Sequence, residues 1–163
     1  MNYWGPAVDE LRVGLGFDVH ARDADRPMWL GGVLFEGQPG LAGHSDGDAV
    51  CHAVADALLG AVALGDIGDH FPEADPAIAG IAGVELLRRT VVLVAGEGVS
   101  PIACDLTVLC ETPPIAPHRD AMRKQLSGAL GIVVDRVSVK ATRPEGLGLS
   151  GDGVGCFAVV TVR

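Results

Sequence analysis

A chain of 163 residues is long enough to bury the core of one domain, and nothing in it calls for a second. Hydrophobic residues make up 48% and aromatics only 4%, so the core is built from Ala, Val, Leu and Ile, with 23 glycines for turns and close packing. The formal charge of −9 and the lack of a visible basic patch argue against nucleic acid or an anionic membrane surface as partner. The start, Met1-Asn2-Tyr3-Trp4-Gly5-Pro6, has neither the basic nor the apolar region of a signal peptide, and no apolar run reaches spanning length, so a cytoplasmic location is expected. Cys51, Cys104, Cys110 and Cys156 form no C-x-x-C pair and read as buried thiols rather than a cysteine zinc site or a disulfide framework.

Residues 11–20 alternate like a strand, which puts Asp18 and His20 on one face. Two ligands at i and i+2 on a strand, joined by one His from a neighbouring helix, make a His₂-carboxylate zinc set with an open fourth position. Asp-x-His alone is a common chance pattern, and it gains weight from His52. Residues 28–35 read as a second, structural strand, and residues 36–42 as a Gly/Pro loop that delivers the chain to His44 and Ser45. The rest of the chain is organised around residues 43–60, where Ser45-Asp46-Gly47-Asp48 supplies N-cap chemistry to an apolar helix. On that helix Asp48, His52 and Asp56 recur at i, i+4 and i+8 and stack along one side. A polar line on a buried helix needs partners, because unpaired buried carboxylates are costly.

Residues 65–76 are turn-rich and dense in acid groups, a loop that either carries binding groups or is simply solvated. Residues 81–98 form a long apolar helix with Glu85, Arg88 and Arg89 on its wetter side. Residues 101–110 are an apolar strand that opens into Glu111-Thr112-Pro113-Pro114-Ile115-Ala116-Pro117. Such a Pro-stiffened loop either reads a planar base edge or merely connects strand to helix. An amphipathic helix over 118–130 follows, with Arg119, Arg123 and Lys124 as surface charges, then a strand over 137–142. The Gly-rich run 146–155 either cradles phosphate or forms a simple hairpin, and it is no P-loop because no Gly-Lys-Ser/Thr closes it. A last strand covers 156–162. Bunched helices, with strands split between both ends, predict one α+β domain over residues 1–163: a two-layer sandwich of a mixed sheet with helices on one face.

Several ordered blocks together resemble one family. They are Gly16-Phe17-Asp18-Val19-His20, the block from His44-Ser45-Asp46-Gly47-Asp48 to His52, Asp56-Ala57-Leu58-Leu59-Gly60, Asp66-Ile67-Gly68 with Phe71-Pro72, and Ala141-Thr142 with Glu145-Gly146-Leu147-Gly148. From Val13 onward the chain is similar to the 2-C-methyl-D-erythritol 2,4-cyclodiphosphate synthases of the non-mevalonate isoprenoid pathway. The resemblance implies a homotrimer with active sites between subunits, and a phosphorus-oxygen lyase that cyclises 4-diphosphocytidyl-2-C-methyl-D-erythritol 2-phosphate and releases CMP. It implies Asp18, His20 and His52 as Zn²⁺ ligands, and Glu145 as the contact to a second divalent cation, Mg²⁺ or Mn²⁺. His44 is implied as a transition-state stabiliser beside Ser45. Substrate contacts are expected at Asp18, Val19, His20, Asp66, Ile67, Gly68, and Phe71, Pro72, Glu73, Ala74 and Asp75. In the C-terminal half they are expected at Thr142, Arg143, Pro144, Leu149 and Asp152, with a cytidine pocket over Cys110, Glu111, Thr112, Pro113, Pro114, Ile115 and Ala116.

The chain departs from the family pattern at three places. Arg143 stands for a threonine regarded as catalytic, Pro114 for a frequent lysine, and Asp152 for a frequent arginine, so Arg143 is expected to offset two lost cations. The alternatives are a trimeric metal- and nucleotide-binding member with weakened turnover and a zinc phosphohydrolase.

Overall fold

The computed structural model describes residues 10–148 and 150–163. Its first strand, β1 (Arg12–Leu30), is far longer than the sequence signals suggest. Residues Arg12–Ala21 pair antiparallel with β5 (Gly153–Val162), and residues Arg22–Leu30 turn to pair with β2 (Val33–Leu41) across an irregularity around Pro27. The stretch 28–35 is therefore not one strand. Gly31 and Gly32 take φ of +58° and +73°, the left-handed pair that a tight hairpin turn requires, and they divide the run in two. Nor are residues 36–42 a loop, since β2 continues to Leu41. The glycine and proline that read as loop signals lie on the sheet edge, where a proline costs no ladder bond.

The five strands run in the order β2-β1-β5-β3-β4. Strands β3 (Pro101–Leu109) and β4 (Val137–Thr142) are parallel, and every other pair is antiparallel, so the sheet is mixed as expected. Because β3 lies between β4 and β5, residues 146–155 are a crossing connection and not a hairpin.

Helix α1 (Ala49–Ala61) lies on β1, β5 and β3, and apart from Asp56 and Gly60 it is buried along its length. It approaches the sheet so closely that a Cβ on Gly14 would lie 1.8 Å from the Ala57 carbonyl oxygen, and one on Gly16 would lie 2.0 Å from that of Ala53. The glycines of β1 are what let an Ala-rich helix sit down on the strand that carries Asp18 and His20. The single-turn α2 (Ile67–His70) follows, then α3 (Gly83–Gly96) against α1, and α4 (Arg119–Leu130) against α3 and β4.

All of these helices cover one face. On the other, Val13, Leu15, Phe17, Val19, Phe157 and Val159 are 40–65% exposed, and the rings of Phe17 and Phe157 pack 4.4 Å apart. Among the described residues no helix is long and apolar enough to cross a membrane.

Candidate functional site

Period-two alternation on β1 aims Asp18 and His20 at α1, and His52 meets them from one turn inside that helix. Asp18 Oδ2 lies 2.8 Å from His20 Nε2 and 3.1 Å from His52 Nδ1, and the two ring nitrogens are 3.1 Å apart. Each ring is oriented from behind. His20 Nδ1 donates to the Ala42 carbonyl at 2.6 Å, which turns the Nε2 lone pair toward Asp18. His52 Nε2 lies 3.0 Å from Ser45 Oγ, which also accepts from Gly47 N–H, so a proton on Nε2 leaves the Nδ1 lone pair facing inward.

Two lone pairs and a carboxylate oxygen thus converge on one point, which is repulsive unless a cation or a shared proton sits between them. Ligands bound at about 2.0–2.2 Å to a tetrahedral ion lie roughly 3.3–3.5 Å from one another, so a small contraction separates this set from a zinc geometry. The three groups are the ones among the described residues that could hold a metal ion. Burial pushes the Asp18 carboxyl up, but hydrogen bonds and charge from His20 and His52 outweigh it and hold Asp18 well below the usual carboxylate range. Burial lowers His20, but Asp18, the Ala42 carbonyl and the charge of Asp48 together raise it above its ordinary value.

The polar line on α1 finds three different kinds of partner. Asp48 caps the helix through Val50 and Cys51 N–H and also accepts from Gly31 and Gly32 at 2.8 and 2.7 Å, so one buried carboxylate fixes both α1 and the β1–β2 turn. His52 joins the metal set. Asp56 accepts from Ile67 N–H at 2.9 Å and so sets the start of α2.

A cavity of about 220 Å³ opens in front of the triad, lined by Asp18, His20 and His52 together with Gly43, His44, Ser45, Ile67, Gly68, Phe71 and Glu73. His44 Nδ1 lies 3.1 Å from Glu73 Oε1, and both side chains are exposed. Arg26, which no local signal singled out, donates to the Gly43 and Ser45 carbonyls and fastens this loop to β1. Asp66 does not line the cavity; it caps α2 by accepting from Gly68 and Asp69 N–H. Asp75 caps the turn at 76–78, and Pro72 and Ala74 are exposed outside the lining. Val19 points its side chain to the opposite sheet face, which leaves only its backbone near the metal set.

The C-terminal residues gather elsewhere. A second cavity of about 190 Å³ is lined by Cys110, Glu111, Pro113, Pro114, Ile115 and Ala116 from one side, with Arg119, Ala141, Thr142 and Arg143 from the other. No residue lines both cavities. Thr112 belongs to the same loop outside the lining; its carbonyl accepts from Arg22 and from the Cys110 thiol, and its hydroxyl accepts from Arg22, a residue no local signal singled out. Pro144 is buried, whereas Glu145 (φ +53°) and Asp152 are exposed and line neither cavity. Glu145 is thus not brought to the triad within one chain. Leu149 lies outside the described residues.

Set beside known proteins, residues 11–163 match the model of the YgbB family. The 2-C-methyl-D-erythritol 2,4-cyclodiphosphate synthase of Symbiobacterium thermophilum is 49% identical over 154 residues, which cover 93% of this chain and 98% of that protein. The bifunctional enzyme IspD/IspF of Caulobacter vibrioides is 48% identical over 151 residues, 93% of this chain and 40% of the larger protein. Among solved structures, a 2C-methyl-D-erythritol-2,4-cyclodiphosphate synthase in a CDP-bound form superposes with a TM-score of 0.86 at 38% identity, covering 93% of this chain and all of that one. The CDP complex of IspF from Plasmodium falciparum gives 0.79 at 29% identity, over 96% and 97% of the two chains. With the family match spanning the sheet, both cavities and the triad, the chain belongs to the YgbB family of 2-C-methyl-D-erythritol 2,4-cyclodiphosphate synthases.

Proposed function

We propose that this chain forms 2-C-methyl-D-erythritol 2,4-cyclodiphosphate from 4-diphosphocytidyl-2-C-methyl-D-erythritol 2-phosphate and releases CMP, in isoprenoid precursor synthesis. The observation that carries the reading is the triad of Asp18, His20 and His52 at the floor of an open cavity, oriented from behind by Ala42 and Ser45. Zn²⁺ suits this donor set, and Mg²⁺ or Mn²⁺ suits the lone carboxylate of Glu145. Bound there, such cations neutralise and polarise a diphosphate. In a chain of net charge −9 that neutralisation is needed for a polyphosphate substrate.

The 2-phosphate oxygen forms the new bond to the β-phosphorus while the bond from that phosphorus to the oxygen of CMP breaks and CMP keeps the electron pair. No side chain serves as nucleophile. The protein's work is positioning and charge stabilisation. His44 sits at the cavity mouth for the phosphates, Ile67, Gly68 and Phe71 pack the methylerythritol, and the loop over 110–116 takes the cytidine. Arg143 reaches the second cavity, where it offsets the cations missing at Pro114 and Asp152.

The two cavities share no residue, and the sheet face opposite the helices is apolar over β1 and β5 and left uncovered by the described residues. Both features support a homotrimer in which the metal half of one subunit faces the nucleotide half of the next, with Glu145 entering from the neighbour. The deciding experiment incubates the zinc-loaded protein with magnesium and the cytidyl-methylerythritol phosphate substrate and follows phosphorus NMR. The cyclic diphosphate and CMP appear together. Linear products carrying water would establish a phosphohydrolase instead, and binding without turnover a degenerate member.

A further inference from the structure

Arg22 lies on β1 two residues beyond His20, and its side chain reaches a loop 90 positions away in the chain. Nη2 donates to the Thr112 carbonyl and, at 3.2 Å, to Thr112 Oγ1, and it passes 4.0 Å from Cys110 Sγ. The backbone N–H of Arg22 donates to the Asp152 carbonyl at 3.1 Å, so one residue ties both the 110–116 loop and the segment before β5 to the strand that carries Asp18 and His20. The other terminal nitrogen, Nη1, is buried with no acceptor among the described residues. An unpartnered buried guanidinium N–H costs free energy that an apolar side chain of the same length would not incur. Packing alone therefore does not account for an arginine here, and the bonds of Nη2 do.

We propose that Arg22 is a positioning residue for nucleotide recognition: by holding the Thr112 carbonyl it fixes the turn over 110–116 in the shape whose main-chain groups meet the base edge. The inference rests on the cyclase reading only in taking the ligand of this cavity to be a cytidine nucleotide. Main-chain readout demands a fixed backbone, since a carbonyl free to rotate accepts from many ligands and discriminates among none. Arg22 supplies that fixation from a rigid strand, with one terminal nitrogen that donates to both the carbonyl and the hydroxyl of Thr112.

The test titrates CMP and UMP calorimetrically into the zinc-loaded protein as wild type, R22A, R22M and R22K, with zinc stoichiometry and thermal midpoint measured on each. R22A and R22M bind CMP at least about tenfold more weakly and lose most of the preference for CMP over UMP, while zinc stoichiometry stays at the wild-type value. R22K recovers part of the affinity, because an ammonium keeps donors for Thr112 but sits on a shorter, more flexible stem without the guanidinium's fixed donor geometry. R22M separates positioning from packing, since it keeps the length and loses the donors. Wild-type CMP affinity and base preference in R22M would overturn the proposal. Failure of the wild type to bind CMP would overturn the nucleotide reading of the cavity and this inference with it.

Discussion

His52 is held from two sides by residues with separable tasks. Toward the cavity its Nδ1 meets Asp18, and away from it Nε2 meets Ser45 Oγ. If the inner nitrogen binds zinc and the outer contact fixes the tautomer, the two positions fail differently. Ser45→Ala leaves all three ligands and weakens zinc binding about 10–100-fold, the usual cost of a lost outer partner, whereas His52→Ala removes zinc and turnover together. Competition with a zinc-chelating dye measures both, and an unchanged zinc affinity in Ser45→Ala would show the hydroxyl to be incidental. Arg143 carries a second residue-level prediction. It lines the second cavity and makes no ion pair among the described residues, so its charge is available to a phosphate there. A hydrogen bond to a charged group is worth about 1.5–3 kcal/mol, so Arg143→Thr lowers kcat/KM about tenfold or more. A faster variant would mean that the arginine crowds the site it was thought to serve.

At the scale of elements, everything depends on how near α1 lies to β1. The three ligand atoms converge because Gly14 and Gly16 let the helix rest on the strand's backbone. In Gly16→Ala the new Cβ would meet the Ala53 carbonyl oxygen at 2.0 Å, and backbone, unlike a side-chain end, cannot swing away. Overpacking costs about 1–3 kcal/mol or more, so the thermal midpoint falls by roughly 5 °C or more, with zinc affinity falling alongside as the triad is spread. A stable variant with weak zinc binding would separate the two effects; an unaltered one would show that α1 is not seated as described. This element pair was also the most legible in the sequence. Helical spacing marks Asp48, His52 and Asp56, strand alternation marks Asp18 and His20, and both are local signals. What stayed hidden was non-local. The span of β1 through residues 21–27 has no apolar alternation because its pairing to β2 is irregular, and β2 carries glycines and prolines that only an edge position tolerates. Arg22 and Arg26 carry no local signal because their acceptors lie 90 and 17–19 residues away.

For the whole molecule, the decisive feature is the sheet face that no helix covers. Val13, Leu15, Phe17 and Val19 alternate with Gly14, Gly16, Asp18 and His20 along a single strand, so the residues that build the metal set and those that form the apolar face are two sides of one element. An apolar face of this breadth, with an aromatic pair at its centre, is the kind of surface that marks an association site. If three copies pack through it, a charge at Phe17 separates them without touching any ligand. Phe17→Asp then sediments as a species near the chain mass of 16.7 kDa, where the wild type sediments near three times that value. Its zinc stoichiometry stays at one per chain, because Asp18, His20 and His52 come from the same subunit. In that arrangement turnover would disappear nonetheless, since each site would be completed by a neighbour's second cavity and Glu145. A monomeric variant that still cyclises the substrate would refute sites shared between subunits. A variant that loses zinc along with its partners would instead mean that association holds β1, and with it the triad, in place.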